Sequence, residues 1–535
     1  LKLPNRAVIG FDGRFISEAP EAIKESKNPT LYDELAGKTV FSAKDILVKT
    51  MQETGDMVGE ARPITHPVKF FEKGDKPLEI VSTRQWYIKN GGNDEELSAQ
   101  LVERGNELEF HPPFMRVRLH DWINGLNGDW LISRQRFFGV PIPLWYPLDK
   151  DGNPDYDNPI TPSHEQLPVD PSSDVPAGYQ PEQRGKPMGF IGEHDIMDTW
   201  ATSSLTPQLA GGWESDPEKF AKVFPYDLRP QGQDIIRTWL FSTLLRAQLE
   251  HDQLPWKHAA LSGWILDPDR KKMSKSKGNV VVPNELLENH GSDAVRYWAA
   301  SARLGTDAAF DEGQMKIGRR LAIKLLNAAK FSLSFEIPTE SPKVSEPIDL
   351  AMLAQLSKVV EQATAAFEKY DHTKALELAE SFFWVFTDDY MELVKERAYG
   401  LGNHTKEQTA SAVAALREAL AVLVRLFAPF IPFAAEEVWS WWQEGSVHQA
   451  AWPKASELSG NNPELLDLAS SALILIRKSK SDAKLSMKAE IGSLELAGPA
   501  ELKELLGDLK DVGKISNLLL TDAAELSILE LSFSE

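Results

Sequence analysis

The 535-residue sequence contains no cysteine. Disulfides, thiolate nucleophiles and cysteine-ligated zinc are therefore excluded, and a reducing compartment becomes the default expectation. The 11 histidines include no close pair such as HxxxH, so a metal site has little support from the sequence. Apolar runs of the roughly 18 residues that span a bilayer are also lacking, and no charged-then-apolar leader is visible. We therefore expect a cytoplasmic protein without a membrane partner and without a bound metal.

Positive charge is scarce overall, with 58 lysines and arginines against 79 acidic residues and a net charge of −21. This balance argues against nonspecific polyanion binding over the whole surface, so a nucleic-acid partner would use local basic patches. One such patch, RKKMSKSKGN at residues 270–279, contains five cations. Ammonium groups suit phosphate oxygens, and Ser274 and Ser276 add hydroxyl donors. The alternative is an ordinary solvated basic loop.

The length predicts three or four domains. In the first, Asp12–Gly13 is a hairpin signal, and residues 43–55 predict a helix that ends at Gly55. The run LEIVSTRQWYI at 78–88 is typical of β-structure and carries the chain into a second region, 81–260, where strands and helices alternate as in an α/β layer. Residues 146–189 are crowded with Pro, Asp and Gly and predict a loop-rich insertion.

Helices dominate after about residue 345. Apolar residues recur at three- and four-residue steps and predict an amphipathic helix: Leu353, Leu356, Val360, Ala363 and Phe367. Two more long helices of this style follow before residue 458, which predicts a bundle. Its aromatic residues are expected in the core, among them Phe383, Phe386, Phe430 and Phe433. Residues 459–535 predict a small α/β module.

A second constellation is QGQDIIRTWL at 231–240. On a helix, Asp234, Ile235 and Trp239 can share one face, and an acid beside an aliphatic and an indole suits an α-amino acid. Upstream, DIMDTWATSSLTP at 195–207 places Trp200 near a strand end. The alternative for both stretches is ordinary buried structure with a capping aspartate.

A third constellation, DWLISRQRFFGVPIPLWYP at 129–147, interleaves Arg134 and Arg136 with aromatic rings. This composition suits single-stranded nucleotide ends, although a buried aromatic strand flanked by salt bridges is equally compatible with it. Two further basic patches could contact nucleic-acid phosphates or could be solvated faces. They comprise Lys316, Arg319, Arg320 and Lys324 in the first, and Arg477, Lys478, Lys480, Lys484 and Lys488 in the second.

The basic loop matches, letter for letter, the KMSKS signature of class I aminoacyl-tRNA synthetases at Lys272, Met273, Ser274, Lys275 and Ser276. The other two constellations, at this order and spacing, resemble the valine, isoleucine and leucine subgroup. DTWATSSLTP is similar to the valyl form, whereas an isoleucyl form is expected to be closer to DVWFDSG. The resemblance implies that Lys272 and Lys275 stabilise charge on the pyrophosphate of ATP while the aminoacyl-adenylate forms.

The same resemblance implies a multidomain fold, α/β plus all-α. It assigns residues 1–80 to the end of an editing domain, 81–260 to the second half of a Rossmann-like catalytic domain, 261–344 to the KMSKS loop and a stem-contact region, 345–458 to a helical anticodon-binding domain, and 459–535 to the small α/β module. Relatives often carry zinc-binding cysteines in the insertion after Tyr146–Pro147. This insertion has none, so no protein-bound zinc is expected.

The resemblance also implies the substrates and their sites. ATP with Mg²⁺ is expected at residues 272–276 and Gly232, and valine at a pocket walled by Trp200, Ile235 and Trp239, with Asp234 holding the ammonium group. The tRNA(Val) partner is expected to contact Arg134, Arg136, Arg319, Arg320, Lys480 and Lys484. We expect a monomer.

The family requires a second ATP signature, HIGH, and no HxGH-type stretch occurs in these 535 residues. We therefore expect the C-terminal portion of a longer enzyme, inactive by itself, whose parent edits mischarged threonine because a valine pocket rejects an isostere only weakly. The alternatives are an isoleucyl or leucyl enzyme, and a non-catalytic tRNA-binding paralogue.

Overall fold

The computed structural model describes residues 7–65, 67–70, 74–75, 77–274, 278–336 and 343–534. The chain divides into two compact units, one within residues 1–89 and 129–199, and the other within 90–128 and 200–535. In the described part of the chain, no helix is long and apolar enough to cross a membrane.

The first unit is built from short elements. Its helices are Glu21–Lys24, Leu31–Leu35 and Val40–Glu53, and single 3₁₀ turns lie at His164–Gln166 and Pro181–Gln183. Its strands form three antiparallel pairs: Tyr87–Ile88 with Trp130–Leu131, Ser133–Arg134 with Ile196–Met197, and Trp145–Pro147 with Phe190–Gly192. A small core of Ile142, Leu144 and Tyr146 holds the last pairs together.

The structure confirms two local predictions in this unit and corrects a third. The helix Val40–Glu53 is followed by Gly55 at φ +75°, and the turn at Gly13 has φ +71°. The predicted β-run at 78–88 is wrong for most of its length, because regular pairing covers only Tyr87–Ile88. Alternation of apolar residues did not produce a strand there, since a strand also needs a neighbour in register.

A three-stranded parallel sheet organises the start of the second unit. Its order is Glu109–His111, Trp256–Ser262 and Tyr226–Gly232, with the long middle strand paired on both sides. Parallel strands require crossover connections, and helices supply them. This arrangement confirms the predicted α/β layer. The helices around it are Glu95–Glu107, Arg116–Asn124, Thr199–Ser203, Thr206–Gly211, Pro217–Val223 and Phe241–His251, with a 3₁₀ turn at Pro113–Met115.

The segment after Gly232 is not the uniform helix that its sequence predicts. It begins as a 3₁₀ turn at Gln233–Ile235, continues as a π-helix at Ile236–Leu240, and becomes α-helical only at Phe241. Single π turns inside helices occur frequently at functional sites. The prediction of a regular α-helix over residues 233–240 is therefore wrong, and the shared face of Asp234 and Trp239 stays a prediction.

A pair of short parallel strands, Ile265–Leu266 and Ala308–Ala309, leads from the sheet toward the helical region. The helices that follow are Pro283–His290, Ser292–Ala300, Glu312–Leu333, Pro347–Glu368, His372–Val385, Met391–Ala398, Lys406–Phe427 and Pro432–Ser440, with a π turn at Phe386–Tyr390 and 3₁₀ turns at Val447–Gln449 and Ala455–Glu457.

The bundle core confirms most of the predicted apolar stripe. Leu353, Leu356 and Val360 are buried, as are Phe383 and Phe386. Phe433 is the exception: 64% of it is exposed, so the prediction that it is core is wrong. The helix that carries it starts at Pro432, and its N-terminal backbone N–H groups donate to the Asp293 carboxylate, which leaves the ring of Phe433 on the surface.

The last region contains the helix Glu464–Asp482 and a three-stranded sheet. The strand Ile491–Gly498 lies in the middle, parallel to Ile515–Asp522 and antiparallel to Ser527–Phe533, with a 3₁₀ turn at Ala500–Leu505 and the helix Leu506–Gly513 between the strands. Leu494 and Leu496 point into the core that this region shares with the bundle.

Candidate active site

The carboxyl ends of two strands of the three-stranded parallel sheet lie side by side, with Gly232 in register with Ser262. Ligands of open parallel sheets bind at this edge. A Cβ added at Gly232 would lie 2.5 Å from Asp234 Oδ1, so the absence of a side chain there makes room for the carboxylate. Asp234 itself is exposed, as a group that receives a ligand ammonium must be.

The structure brings the motifs that carry Trp200 and Trp239 together. The indole Nε1 of Trp239 donates to the carbonyl oxygen of Ser203 at 3.1 Å, and Ser203 ends the short helix on which Trp200 lies. Ile235, at the end of the 3₁₀ turn, is half-buried and precedes Trp239 by four residues in the sequence. The two indoles thus come from separate segments held by one hydrogen bond, which sequence spacing alone did not predict.

Arg229 lies behind this pocket wall on the strand Tyr226–Gly232. Its guanidinium stacks on the ring of Trp239 and lies 4.6 Å from the ring centroid of Trp256. Among the described residues, its Nε and Nη2 have no hydrogen-bond partner. Burial lowers the pKa of Arg229 to about 9, so the side chain still carries its charge at neutral pH. The site therefore contains a buried cation whose donors are not used within the described chain.

Asp307 connects the pocket with the segment that leads to the basic loop. Its Oδ1 accepts from Gln233 Nε2 at 3.0 Å and from the backbone N–H of Trp264 at 2.8 Å. Gly263 makes this approach possible, because a Cβ there would overlap the carbonyl of Thr306. Sequence reasoning missed Asp307, since its two partners lie far away along the chain.

Lys272 is placed over the face of the Trp264 ring, with Nζ 3.5 Å from the ring centroid. A contiguous set of contacts therefore runs from Gln233 through Asp307 and Trp264 to Lys272. It joins the pocket to the basic loop. A cation held on an aromatic face is partly desolvated, which strengthens its interaction with an anion.

Asp267 and Asn279 close the base of the basic loop. Asp267 accepts from the backbone N–H of Lys271 at 2.7 Å and from Asn279 Nδ2 at 2.8 Å, and Asn279 Oδ1 accepts from the N–H of Ser274 at 3.0 Å. The backbone N–H of Lys271 and the amide of Asn279 lower the pKa of Asp267. Gly278 adopts φ +67°, as a turn at that position requires. Met273 lies within this base, whereas Lys275 and Ser276 lie outside the described residues.

In the first unit, Arg134 is committed to protein contacts. Its Nη2 pairs with Asp198 Oδ2 at 2.8 Å, and its Nη1 donates to the carbonyls of Leu131 and Ser133. The neighbouring Arg136, Phe137 and Phe138 are exposed. Arg136 and the two rings are therefore the exposed part of this motif, while Arg134 holds the strand through its protein contacts.

The predicted tRNA contacts in the second unit divide into exposed and buried groups. Arg319 and Arg320 are exposed on the helix Glu312–Leu333, and Arg319 also donates to the carbonyl of Asn289. Lys484 is exposed as well. Lys480 is wrong as a phosphate contact: it is 2% exposed, and its Nζ donates to the carbonyls of Met487 and Gly513. Its ammonium therefore satisfies two backbone carbonyls of the last module.

Comparison with known families identifies two regions of the chain. A family model described as tRNA synthetases class I (I, L, M and V) matches residues 16–311, and one described as the anticodon-binding domain of tRNA ligase matches residues 349–496.

Curated proteins that are similar to this chain belong to the same family. A valine–tRNA ligase of Leifsonia xyli subsp. xyli is 61% identical over 547 residues, which cover 100% of this chain and 63% of that protein. A valine–tRNA ligase of Thermobifida fusca is 60% identical over 539 residues, which cover 99% of this chain and 61% of that protein. The chain thus spans less than two thirds of the length of the curated relatives it matches.

A solved structure supports the fold. Mycobacterium tuberculosis methionyl-tRNA synthetase in complex with methionyl-adenylate superposes with a TM-score of 0.50 at 20% identity, covering 69% of this chain and 64% of that one. The fold class predicted from the sequence is therefore confirmed. Since the class I model matches more than half of its residues, the chain belongs to the class I tRNA synthetases of the isoleucine, leucine, methionine and valine group.

Proposed function

We propose that this chain forms part of a valine–tRNA ligase, which activates valine with ATP and transfers it to tRNA(Val). The observation that carries the proposal is the contiguous set of contacts from Gln233 through Asp307 and Trp264 to Lys272. It joins the predicted amino-acid-binding residues to a basic loop at the carboxyl edge of a parallel sheet. Two valine–tRNA ligases at 61% and 60% identity favour valine over isoleucine or leucine.

In the proposed reaction, a carboxylate oxygen of valine attacks the α-phosphorus of ATP, and the bond to pyrophosphate breaks. The Asp234 carboxylate binds the valine ammonium, while the indoles of Trp200 and Trp239 and the aliphatic chain of Ile235 enclose the isopropyl group. Lys272 leaves the face of Trp264 and stabilises the charge that grows on the departing pyrophosphate, as placed cations do in phosphoryl chemistry. Mg²⁺ enters with ATP as part of the substrate, and Lys275 is proposed to assist.

The tRNA is proposed to contact both units. Arg136, Phe137 and Phe138 offer a cation and two exposed rings on which unpaired bases of the 3′ end can stack. Arg319, Arg320 and Lys484 offer exposed cations for the phosphate backbone. We place the anticodon contact in the helical region 345–458, the stem contact in 261–344, and editing of threonine in the longer protein, which acts as a cytoplasmic monomer.

Amino-acid-dependent exchange of pyrophosphate into ATP tests the proposal. The complete natural reading frame is assayed with valine, isoleucine and leucine at matched concentrations. We expect valine to give the highest kcat/KM, with isoleucine excluded by the size of its extra methylene. Faster exchange with isoleucine or leucine would overturn the valine assignment, and no exchange with any of them would favour a tRNA-binding protein.

The chain of 535 residues is assayed beside it. We expect negligible valine-dependent exchange, because its sequence contains no HxGH-type stretch to position ATP. Exchange at the rate of the longer protein would show that this second signature is dispensable.

A further inference from the structure

Two neighbouring strands of the parallel sheet place three potential metal ligands on one face. Glu109 and His111 are two residues apart on their strand, so their side chains point to the same side of the sheet. Glu109 is in register with His258 on the middle strand, which brings the second imidazole to that side. Phe110, between the two ligands, points to the opposite face and is 2% exposed. None of these three residues belongs to the candidate active site described above.

Two of the distances between the donor atoms match those of a bound metal. His111 Nε2 lies 3.2 Å from His258 Nδ1, and His258 Nδ1 lies 3.3 Å from Glu109 Oε2. All three donor atoms lie within 4.8 Å of one another. In tetrahedral zinc sites the metal–ligand bonds are about 2.0–2.1 Å, which separates neighbouring donors by about 3.3 Å.

A single hydrogen bond cannot serve both contacts of His258 Nδ1. This atom faces both His111 Nε2 and Glu109 Oε2, and an imidazole nitrogen has either one proton or one lone pair. If Nδ1 is protonated and donates to the carboxylate, it has no lone pair left to accept a proton from His111. If His111 donates to the lone pair of Nδ1, no proton lies between Nδ1 and the carboxylate. A cation between the three atoms is attractive to all of them.

An aromatic ring and a cavity lie next to the cluster. The Tyr370 ring lies 4.4 Å from the His111 ring and 5.1 Å from the His258 ring, measured between centroids. A cavity of about 730 Å³, lined by His111, Tyr370 and His372 among others, opens beside the cluster.

We propose that Glu109 Oε2, His111 Nε2 and His258 Nδ1 bind one divalent transition-metal ion, for which Zn²⁺ is the probe. Two imidazoles and one carboxylate form a ligand set that such ions accept. Three protein ligands leave a fourth tetrahedral position for water or for a small anionic ligand that enters from the cavity. The ion joins two strands of the sheet and lies beside Tyr370, just after the helix Pro347–Glu368. This site revises the expectation, based on the sequence, that no metal is bound.

Zinc titration of the chain without an affinity tag tests the site. The protein is stripped with a chelator, exchanged into chelator-free buffer and titrated with Zn²⁺ against a chromophoric competitor. We expect about one ion per chain. His111→Asn, His258→Asn and Glu109→Gln are each expected to weaken binding at least about tenfold, because even the loss of an outer partner costs metal affinity on this scale. In the Co²⁺-loaded chain, a tetrahedral visible spectrum is expected and should be lost in the same variants.

His448→Asn is the matched control, since His448 Nε2 lies 4.0 Å from Glu436 Oε2 in a single imidazole–carboxylate pair. Its affinity for zinc should equal that of the unmodified chain. Glu109 is 66% exposed at its side chain, so Glu109→Gln tests the ligand set even if a histidine variant fails to fold. An unmodified chain that binds no zinc would overturn the proposal, as would a Glu109→Gln variant with undiminished affinity. Valine-dependent exchange is not involved in either readout.

Discussion

Two buried arginines show how differently the helical region and the sheet region treat charge. Arg397 in the bundle is 1% exposed, and its guanidinium forms ion pairs with Asp349 at 2.8 Å and Asp508 at 3.0 Å. Tyr390 and Ser411 also donate to Asp349, at 2.8 and 2.6 Å. Arg229 in the sheet stacks on indoles, and its Nε and Nη2 have no partner in the described part of the chain.

The two arginines differ in whether their buried charge is compensated by carboxylates. Burial would lower the pKa of Arg397, but Asp349 and Asp508 outweigh it and raise that pKa, so the network is satisfied internally. It joins the bundle to the last module through Asp508. Around Arg229, burial acts without a neutralising carboxylate among the described residues. Unsatisfied buried groups are costly, and natural proteins retain them where a ligand or substrate uses them.

The largest expected effect is on the bundle. Arg397→Ala leaves Asp349 and Asp508 buried without their cation and should lower the free energy of unfolding by about 3–5 kcal/mol. Urea unfolding followed by circular dichroism measures it. Lys503→Ala, which breaks an exposed ion pair with Asp522, is the control and should cost about 0–1 kcal/mol. Equal losses in the two variants would show that the buried network is not a structural centre.

In the complete protein, Lys272→Ala should lower activity and leave stability unchanged. We expect valine-dependent exchange to fall about 10²-fold or more, because a placed cation is lost from the transition state, while the urea midpoint stays unchanged. Lys271→Ala is the matched control, since Lys271 pairs with the exposed Asp269 at the loop edge. A large loss of stability in Lys272→Ala, or an equal loss of rate in Lys271→Ala, would contradict the separation.

Asp307→Ala should give an intermediate effect on both properties. Gln233 Nε2 and the N–H of Trp264 lose their acceptor, which costs about 1–3 kcal/mol. We also expect a higher KM for ATP and faster tryptic cleavage at residues 270–272, because the basic loop loses its connection to the pocket. Asp227→Ala, at an exposed pair with Lys257, serves as the control. Unchanged cleavage in Asp307→Ala would rule out the coupling.

Arg229→Met should change stability little, within about 1 kcal/mol, since the variant removes unmet donors and keeps an apolar stem between the indoles. The valine-dependent rate of the complete protein should fall, because the wall behind Trp239 changes. This variant is the direct counterpart of Arg397→Ala. A loss of stability as large as that of Arg397→Ala would break the comparison between the two regions.

The smallest expected effect is on pH dependence. Burial lowers the pKa of His111, His120 and His251 below the usual 6.5, and all three lie in the sheet region. Below pH 6.5 the unfolded chain therefore binds more protons than the folded chain, so their stabilising contribution is complete above pH 6.5 and is lost as the pH falls. Urea midpoints from pH 7.5 to 5.5, measured with a chelator present, should decline less steeply in His251→Leu. His448→Asn should not change the slope, and an unaltered slope in His251→Leu would count against the assignment.

Local patterns predicted much of the architecture. The stripe from Leu353 to Phe367 predicted a bundle helix, and Gly55 marked the end of the helix Val40–Glu53. Patterns failed where a neighbour decides the outcome. The run 78–88 is apolar and β-branched but has a partner strand only at Tyr87–Ile88, and Phe433 looks like a core residue although its helix begins at the surface.

The candidate site divides in the same way. Lys272, Asp234 and Trp239 could be selected from their motifs, because each motif is a continuous stretch. Asp307 and Asn279 could not, since their roles depend on hydrogen bonds to residues in other segments. Lys480 is the opposite case, because its motif predicted a role that the structure contradicts. It lies in a basic run, yet it is buried, and its ammonium donates to two backbone carbonyls.

The sequence by itself determined the family, the basic loop and the succession of an α/β layer, a helical region and a final module, because these are written in local periodicity and contiguous motifs. Only the tertiary structure decided that Glu109, His111 and His258 converge, that Asp307 links pocket and loop, and that Arg397 is neutralised while Arg229 is left with unused donors. Each of these depends on strand register or on packing between residues far apart in the chain. Local sequence patterns predict neither.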